Sequence, residues 1–535
     1  LPDETVWKEN VMTGELISPI ETRNATGIAA YAAAICISLL SGCNVGPRYA
    51  APAGPTAPAF KEASPAAYGG APPGAWQPAQ PQDSALKGKW WEMFGEPELN
   101  ALEDRLNIDN QNIAQYFQNF MAARAQVREA RASYFPTVTL NPTLSRTGAG
   151  AGSTGAQTAI GTKPAGSPTS ASTGATEFAL PLDVSWEPDL WGRIRNTVGE
   201  YQYAAQVSAA DLENERLTEQ AALAEYYLEL HGQDALQDLY NRTIDADRQS
   251  LELTRALVET GIDSPEAAAQ AEVTLKDAEA VGIGIATNRA LYEHAIATLI
   301  GQPASSFSMP VRSLTAEVPA IPVGLPSQLL QRRPDIAAAE RTMAQANATI
   351  GVEKAAYYPA VSLTGGGGLQ SSSIARLFSL PALVWSLGAS ASQTVFDAGL
   401  RKAAVTQYTA AYNADVAAYK QTVLTAFQQV EDYIATLRVL SQQIVRQDEA
   451  VQAAQRYVDI ATARYQTGLD PYLNVIAAQS ILLSGRQTLV NLRVGEVTAA
   501  VQLIQALGGG WNVAQLPSVS QVTPGKAPAQ VTHNR

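Results

Sequence analysis

The chain is 535 residues long, carries a formal net charge of -13, and holds only two cysteines, five methionines and three histidines. That length exceeds one average domain. The scarcity of Cys and His leaves little material for metal or nucleophilic chemistry, and the acidic balance lacks the basic footprint that a phosphate backbone demands, so catalysis and nucleic-acid binding are both disfavoured. No run of about 18 apolar residues occurs, so no transmembrane helix is predicted.

In chain order, Arg23 precedes an apolar stretch, Ile28 to Leu40, of signal-peptide length. It ends in Leu40-Ser41-Gly42-Cys43, which resembles the bacterial lipobox. On that reading residues 1–42 are a removable signal peptide, Cys43 carries a diacylglycerol and an N-acyl chain, and Asn44 after it favours outer-membrane sorting. The stretch ahead of Arg23 is unusual for a leader, and Met12 is a candidate start. Residues 43–86, rich in Pro, Ala and Gly, read as a tether. Cys36 would leave with the leader, so no disulfide is expected in the mature chain.

Residues 87–310 and 311–510 follow one plan twice. Ser133 to Leu140 and Tyr357 to Leu363 each read as a helix running into a proline and then an alternating strand. Gly192 and Gly399, in Asp-Leu-Trp-Gly-Arg and Asp-Ala-Gly-Leu-Arg, stand 207 residues apart, as do Gly261 and Gly468 in Thr-Gly-Ile-Asp and Thr-Gly-Leu-Asp. Phe178, Leu180, Leu182, Val184 and Trp186 alternate with Ala179, Pro181, Asp183, Ser185 and Glu187, the period of a strand with one apolar face. A weaker copy runs from Val384 to Phe396. The small-residue stretches Gly148 to Ala175 and Gly365 to Ser379 are expected as exposed hairpin loops.

Long helices follow each pair of strands. Leu400 to Thr467 contains neither Gly nor Pro, enough for a helix of about 100 Å. Val416, Val423, Val430, Leu437, Ile444, Val451, Val458 and Tyr465 recur every seventh residue as a coiled-coil seam, beside small residues such as Ala426, Ala454 and Ala461. The first copy offers Gly199 to Thr260, with Gly232 inside it. Shorter helices are predicted for Pro265–Ile300 and Tyr472–Leu507, so each copy holds a helical hairpin turned by Gly261 or Gly468. Residues 511–535 read as a disordered tail.

Four strands cannot close a barrel, and open edges in lipid would cost several kcal/mol per unpaired group. Two chains would give eight strands around a filled interior, whereas three would give twelve around a lumen. A lipid-anchored coiled-coil scaffold would explain Cys43 and the heptads but not the strands. A lipidated hydrolase would need a buried acid pair that no spacing suggests. His231 and His294 lack partners at metal spacing, and Arg332 and Arg333 flank a helix start at Pro334 and Asp335 rather than an anion site.

Leu40 to Pro47, Trp90-Trp91, Phe94-Gly95, Trp186 to Gly192, Leu325 to Ile336 and Arg464 to Gly468 with Ala478-Gln479 together resemble the TolC-like outer-membrane factors, specifically the lipidated NodT-like branch of multidrug efflux systems. The resemblance covers nearly the whole mature chain. It implies an α+β membrane protein: a trimeric 12-stranded transmembrane β-barrel, four strands per chain, continued by a long periplasmic α-helical coiled-coil barrel. It further implies a non-enzymatic duct in the outer membrane, working with a periplasmic membrane-fusion adaptor and an inner-membrane RND-type pump. No catalytic residue, metal or cofactor comes with it beyond the lipid on Cys43. Ducts for heavy metals or type I secretion share the architecture, so cargo stays open.

The family closes its periplasmic end near the second-copy tip with rings of acidic residues. Asp470 matches an acidic position there, while Asn474 and Ala477 stand where other members have aspartates. Three copies of Asp470 around a narrow mouth would repel and raise one another's pKa, and Asp263 at the first tip could add three more. An ordinary solvated turn aspartate or helix cap is the alternative for both. Thr260, Gly261, Thr467 and Gly468 are candidate adaptor contacts, which turn geometry explains equally well.

Overall fold

The computed structural model describes residues 44–62, 88–147, 175–321 and 326–523; Cys43 and most of the first hairpin loop lie outside them. Two compact units form, one around Arg131–Thr197 and Ile350–Val405, the other around Arg48–Ala130, Val198–Thr349 and Thr406–Arg535, so each draws on both expected copies.

The first unit is a sheet. Strands β1 (Thr137–Leu140), β2 (Thr143–Thr147), β3 (Ala175–Trp186), β4 (Ala360–Ser371) and β5 (Leu383–Ser392) are antiparallel in the order β1-β3-β4-β5, with β2 extending β1's row along β3. The row breaks at Asn141-Pro142, because Pro142 has no N–H to donate; Asn141 N still reaches Pro181 O at 3.2 Å.

The pairing Val138↔Val184, Leu140↔Leu182, Leu144↔Phe178, Trp186↔Leu363, Leu180↔Leu369 and Gly367↔Trp385 puts these apolar residues on one face, since directly opposed residues point the same way. The other face carries Thr139, Asp183, Glu177, Gln370 and Ser386. The apolar face is open in the single chain: Trp385 is 78% and Leu387 84% exposed.

Two expectations change here. Gly365 to Ser371 belongs to β4 and not to a loop. The glycines are strand residues because the neighbours demand it: a Cβ on Gly368 would stand 2.4 Å from Leu180 O and 2.7 Å from Pro181 Cα, and Gly367 and Gly365 lie opposite the large Trp385 and Leu387. Strand β5 also stops at Ser392, leaving Val395 and Phe396 beyond it.

The longer helices are α1 (Pro97–Asp109), α2 (Gln111–Ala132), α3 (Arg193–Glu259), α4 (Pro265–Leu299), α5 (Pro334–Ala355), α6 (Leu400–Gln466) and α7 (Tyr472–Ala506). No helix among the described residues is long and apolar enough to cross a membrane. Helices α3 and α6 are each 67 residues long, and α4 and α7 each 35. Helix α3 starts six residues before Gly199, because the Asp189 carboxylate accepts from Ile194 N and Arg195 N at 3.0 Å each and so caps an extra turn.

In the second unit the heptad seam is the buried face of α6. Val423, Val430, Leu437 and Tyr465 are buried, as are Ala426, Ala454 and Ala461 beside them. Val430 and Leu437 share a core with Leu223, Tyr227 and Ile504. Gly232 does not interrupt α3; it admits α7, since a Cβ there would lie 2.5 Å from Val494 Cγ2. Arg333 clasps the start of α5 to the end of α7, bonding Asp335 and donating to Ala506 O at 3.0 Å. His231 is buried against Asp234 and the carbonyl of Arg312, a packing role.

Among the described residues, parts of two segments expected to be loose are seated. Within the tether, Phe60 is buried edge-on to Phe427, and the N–H groups of Lys61 and Glu62 donate to the Glu431 carboxylate at 2.7 and 2.9 Å. Within the tail, Trp511 is buried and Val522 packs on Val127 and Ala205. Composition does not mark these seats, because one buried aromatic or aliphatic anchor outweighs several Pro, Ser or Gln neighbours.

Candidate functional site at the helical hairpin tips

The two turns share one backbone. Gly261 and Gly468 both have φ of 72°, the left-handed state that glycine reaches without penalty. Ile262 N bonds Leu257 O and Leu469 N bonds Arg464 O, each at 2.9 Å, while Gly261 N and Gly468 N reach Val258 O and Tyr465 O. This is a Schellman closure at both ends. The hydroxyls of Thr260 and Thr467 turn back onto Leu257 O and Arg464 O at 3.0 Å. Helix termination therefore accounts for all four residues proposed as adaptor contacts. What each turn exposes is the residue after the glycine: Ile262 is 70% and Leu469 71% exposed.

The charges differ. Asp263 accepts from Ser264 N at 2.7 Å through one oxygen and from the Tyr465 hydroxyl at 2.6 Å through the other. Asp470 is gripped by Arg464, Nε to Oδ2 at 2.6 Å and Nη2 to Oδ1 at 3.2 Å. Consecutive α6 residues thus hold both aspartates, Arg464 the one on its own tip and Tyr465 the one on the other.

Within the single chain Asp470 faces a counter-charge. Its carboxyl is held below the usual aspartate range, chiefly by the hydrogen bonds from Arg464, and the Arg464 guanidinium is correspondingly raised. Tyr465 is pushed up to about 12, first by burial and then by its bond to Asp263.

Beneath the tips a small core ties the hairpins: Leu251 of α3, Ala271 and Leu275 of α4, Ala461 and Tyr465 of α6, and Tyr472 and Val475 of α7. The Tyr465 and Tyr472 rings lie 5.2 Å apart. One turn further from the tips, Asp247 is 4% exposed, its Oδ2 has no hydrogen-bond partner, and burial pushes it up to about 6.

Sequence reasoning assigned the two aspartates to the tips but gave Arg464, Tyr465, Ile262 and Leu469 no role there. The signals were an apolar residue between Gly and Asp in both turns, and an Arg-Tyr pair just ahead of the second.

Residues 103–302 and 325–509 match the profile of the outer membrane efflux protein family. The chain belongs to this family. It is 31% identical over 483 residues to the antibiotic efflux pump outer membrane protein ArpC of Pseudomonas putida, a match covering 89% of this chain and 95% of that protein. It is 30% identical, with the same coverage, to the toluene efflux pump outer membrane protein TtgC of the same species.

Among solved structures, the outer-membrane channel OprN superposes with a TM-score of 0.78 at 27% identity, covering 88% of this chain and all of that one. The Campylobacter jejuni CmeC channel shares the fold at 0.78 and 20% identity, covering 89% of this chain and 97% of that one. This efflux protein resides in the outer membrane and serves as the outer-membrane channel component of an efflux pump.

Proposed function

We propose that three copies of this efflux protein close a twelve-stranded barrel in the outer membrane, and that their helical hairpins build the periplasmic duct that receives cargo from a membrane-fusion adaptor and an RND-type inner-membrane pump. The observation that carries this reading is the sheet of the first unit. One face is apolar, with Leu140, Leu144, Leu182, Trp385 and Leu387 exposed on it, and among the described residues nothing pairs with the outer edge of β5 or of β1 and β2. An apolar face belongs in lipid, and lipid forbids open edges, so further copies must supply the missing neighbours. Three leave a lumen where two do not.

The tips are the gate. Tyr465 with Asp263 latches the two hairpins and Arg464 with Asp470 braces the second turn, while the exposed Ile262 and Leu469, flanked by Thr260, Gly261, Thr467 and Gly468, offer an apolar landing for the adaptor. Cys43 carries the lipid of the NodT-like branch. Asn44, the residue after it, is fixed in the first unit by Asn196 Nδ2 donating to its Oδ1 at 3.0 Å, with Val45 N on Trp191 O at 3.3 Å, which supports an anchor beside the end of β3. Relatives named for antibiotics and toluene support small organic cargo.

Native mass spectrometry of the detergent-extracted protein tests the assembly. The expected species is three chains, each beginning at Cys43 and heavier by three acyl chains and a glycerol. A monomer or dimer contradicts the barrel, and an unacylated terminus contradicts the anchor.

A further inference from the structure

The turn after β3, Trp186-Glu187-Pro188-Asp189-Leu190-Trp191-Gly192, contains more chemistry than a strand-to-helix connection requires. Asp189 is consumed in capping α3 and pairing with Arg195. Glu187 and Arg193 are not needed for either. They form a two-point ion pair, Nε to Oε1 at 3.2 Å and Nη2 to Oε2 at 2.7 Å, with side chains 37% and 49% exposed.

Both line a cleft of about 270 Å³ whose walls include Trp191, Tyr358, Val361 and Thr394. The Trp191 ring stacks on Tyr358 with centroids 4.9 Å apart and its Nε1 donates to Pro359 O at 2.8 Å, so this aromatic wall is fixed. The cleft sits where β3 ends, β4 begins and β5 ends, at the end of the sheet's apolar face.

We infer that this cleft binds the head group of an ethanolamine phospholipid in the periplasmic leaflet. An exposed carboxylate and an exposed guanidinium side by side are matched by a ligand that joins an ammonium to a phosphate over a short link. A primary ammonium donates hydrogen bonds to Glu187, which a trimethylammonium cannot do, and the phosphate accepts from Arg193 in the forked geometry that guanidinium favours. Stacked aromatics at the edge of an apolar band are the usual neighbours of head groups. The acyl chains would then lie along the face that carries Trp186, Leu363 and Trp385. This assignment rests on the sheet spanning the membrane.

The test is lipid retention by the purified oligomer in native mass spectrometry, after incubation with palmitoyl-oleoyl phosphatidylethanolamine, phosphatidylcholine or phosphatidylglycerol. The wild type should retain the ethanolamine lipid about threefold more than the other two, the scale of one exposed charge-assisted pair. Glu187→Gln should erase the preference over phosphatidylcholine, and Arg193→Gln should lower retention of all three lipids. Equal retention by the wild type, or an intact preference in Glu187→Gln, overturns the assignment.

Glycerophosphoethanolamine, which has the head and no acyl chains, should displace nothing at the same concentration; displacement would make this a site for a soluble phosphoamine and overturn the lipid reading. Flotation with vesicles separates the two levels. A chain that floats without lipid preference defeats the cleft alone, whereas a chain that does not float defeats the membrane-spanning sheet and the cleft with it.

Discussion

The two hairpin tips have the same backbone and different partners for their aspartates. Both close on a glycine at 72°, both turn a threonine hydroxyl back onto the helix, and both expose one aliphatic residue to about the same extent. Yet Asp263 answers to a buried tyrosine and Asp470 to an exposed arginine. A repeated sequence thus reproduces helix termination, which is local, and leaves free what each carboxylate binds, which is tertiary. The first tip is latched through a part-buried hydrogen bond from a neutral hydroxyl, the second through a surface ion pair that salt screens.

The largest expected effect falls on the first tip. Tyr465 is 7% exposed and touches Tyr472 and Asp263, so Tyr465→Ala should cost about 3 kcal/mol or more by opening a cavity. Tyr465→Phe, which keeps the ring, should cost about 1.5 kcal/mol, the worth of a hydrogen bond to a charged acceptor. Denaturant midpoints of the two variants read the difference, and amide exchange should rise at residues 254–264 while the turn at 467–470 changes less.

Asp247→Asn should act in the opposite sense, stabilising the protein by about 2 kcal/mol near neutral pH. Its folded pKa of about 6 lies above the ordinary aspartate value, so the folded state prefers the protonated acid. Wild-type stability is therefore fullest below about pH 4 and declines as pH rises toward about 6. Denaturation at pH values on either side of that window should show a smaller loss in the variant; a gap unchanged by pH would mean that the buried carboxyl is not the cause. For Asp470 the sign is reversed: its lowered pKa means that the pair with Arg464 holds above the ordinary carboxylate range and fades as pH falls through the lowered value.

Smaller, and equal at the two tips, should be the cost of Gly261→Ala and Gly468→Ala: about 1 kcal/mol each, the penalty of a left-handed residue with a Cβ. Neither position has a neighbour within 4 Å of the added carbon, so unequal costs would show that the tips do not share a backbone state under solution conditions.

Much of this was legible in the sequence. The heptads from Val416 to Tyr465 and the absence of Gly and Pro from Leu400 to Thr467 predict α6, and the Thr-Gly pairs predict both turns. The partners of the two aspartates were not legible. Arg464 and Asp470 are six positions apart across a turn, and Tyr465 and Asp263 are 202 apart, separations that no helical or strand period marks. Gly365 to Gly368 misled for a related reason. Four glycines have low strand propensity by themselves, and only the placement of Pro181, Leu387 and Trp385 opposite them makes a strand of that run.

Single-channel conductance of the extracted oligomer in a planar bilayer, comparing wild type with Asp470→Ala and Arg464→Ala, asks most directly whether the tips are a latched gate. If Asp470 works through its pair with Arg464, either substitution unlatches the same tip and both should raise the current. Currents that move in opposite directions would instead fit a ring of free acids whose charge Arg464 merely offsets, and a current unchanged by both, from an oligomer of confirmed mass, would remove the gate from these residues.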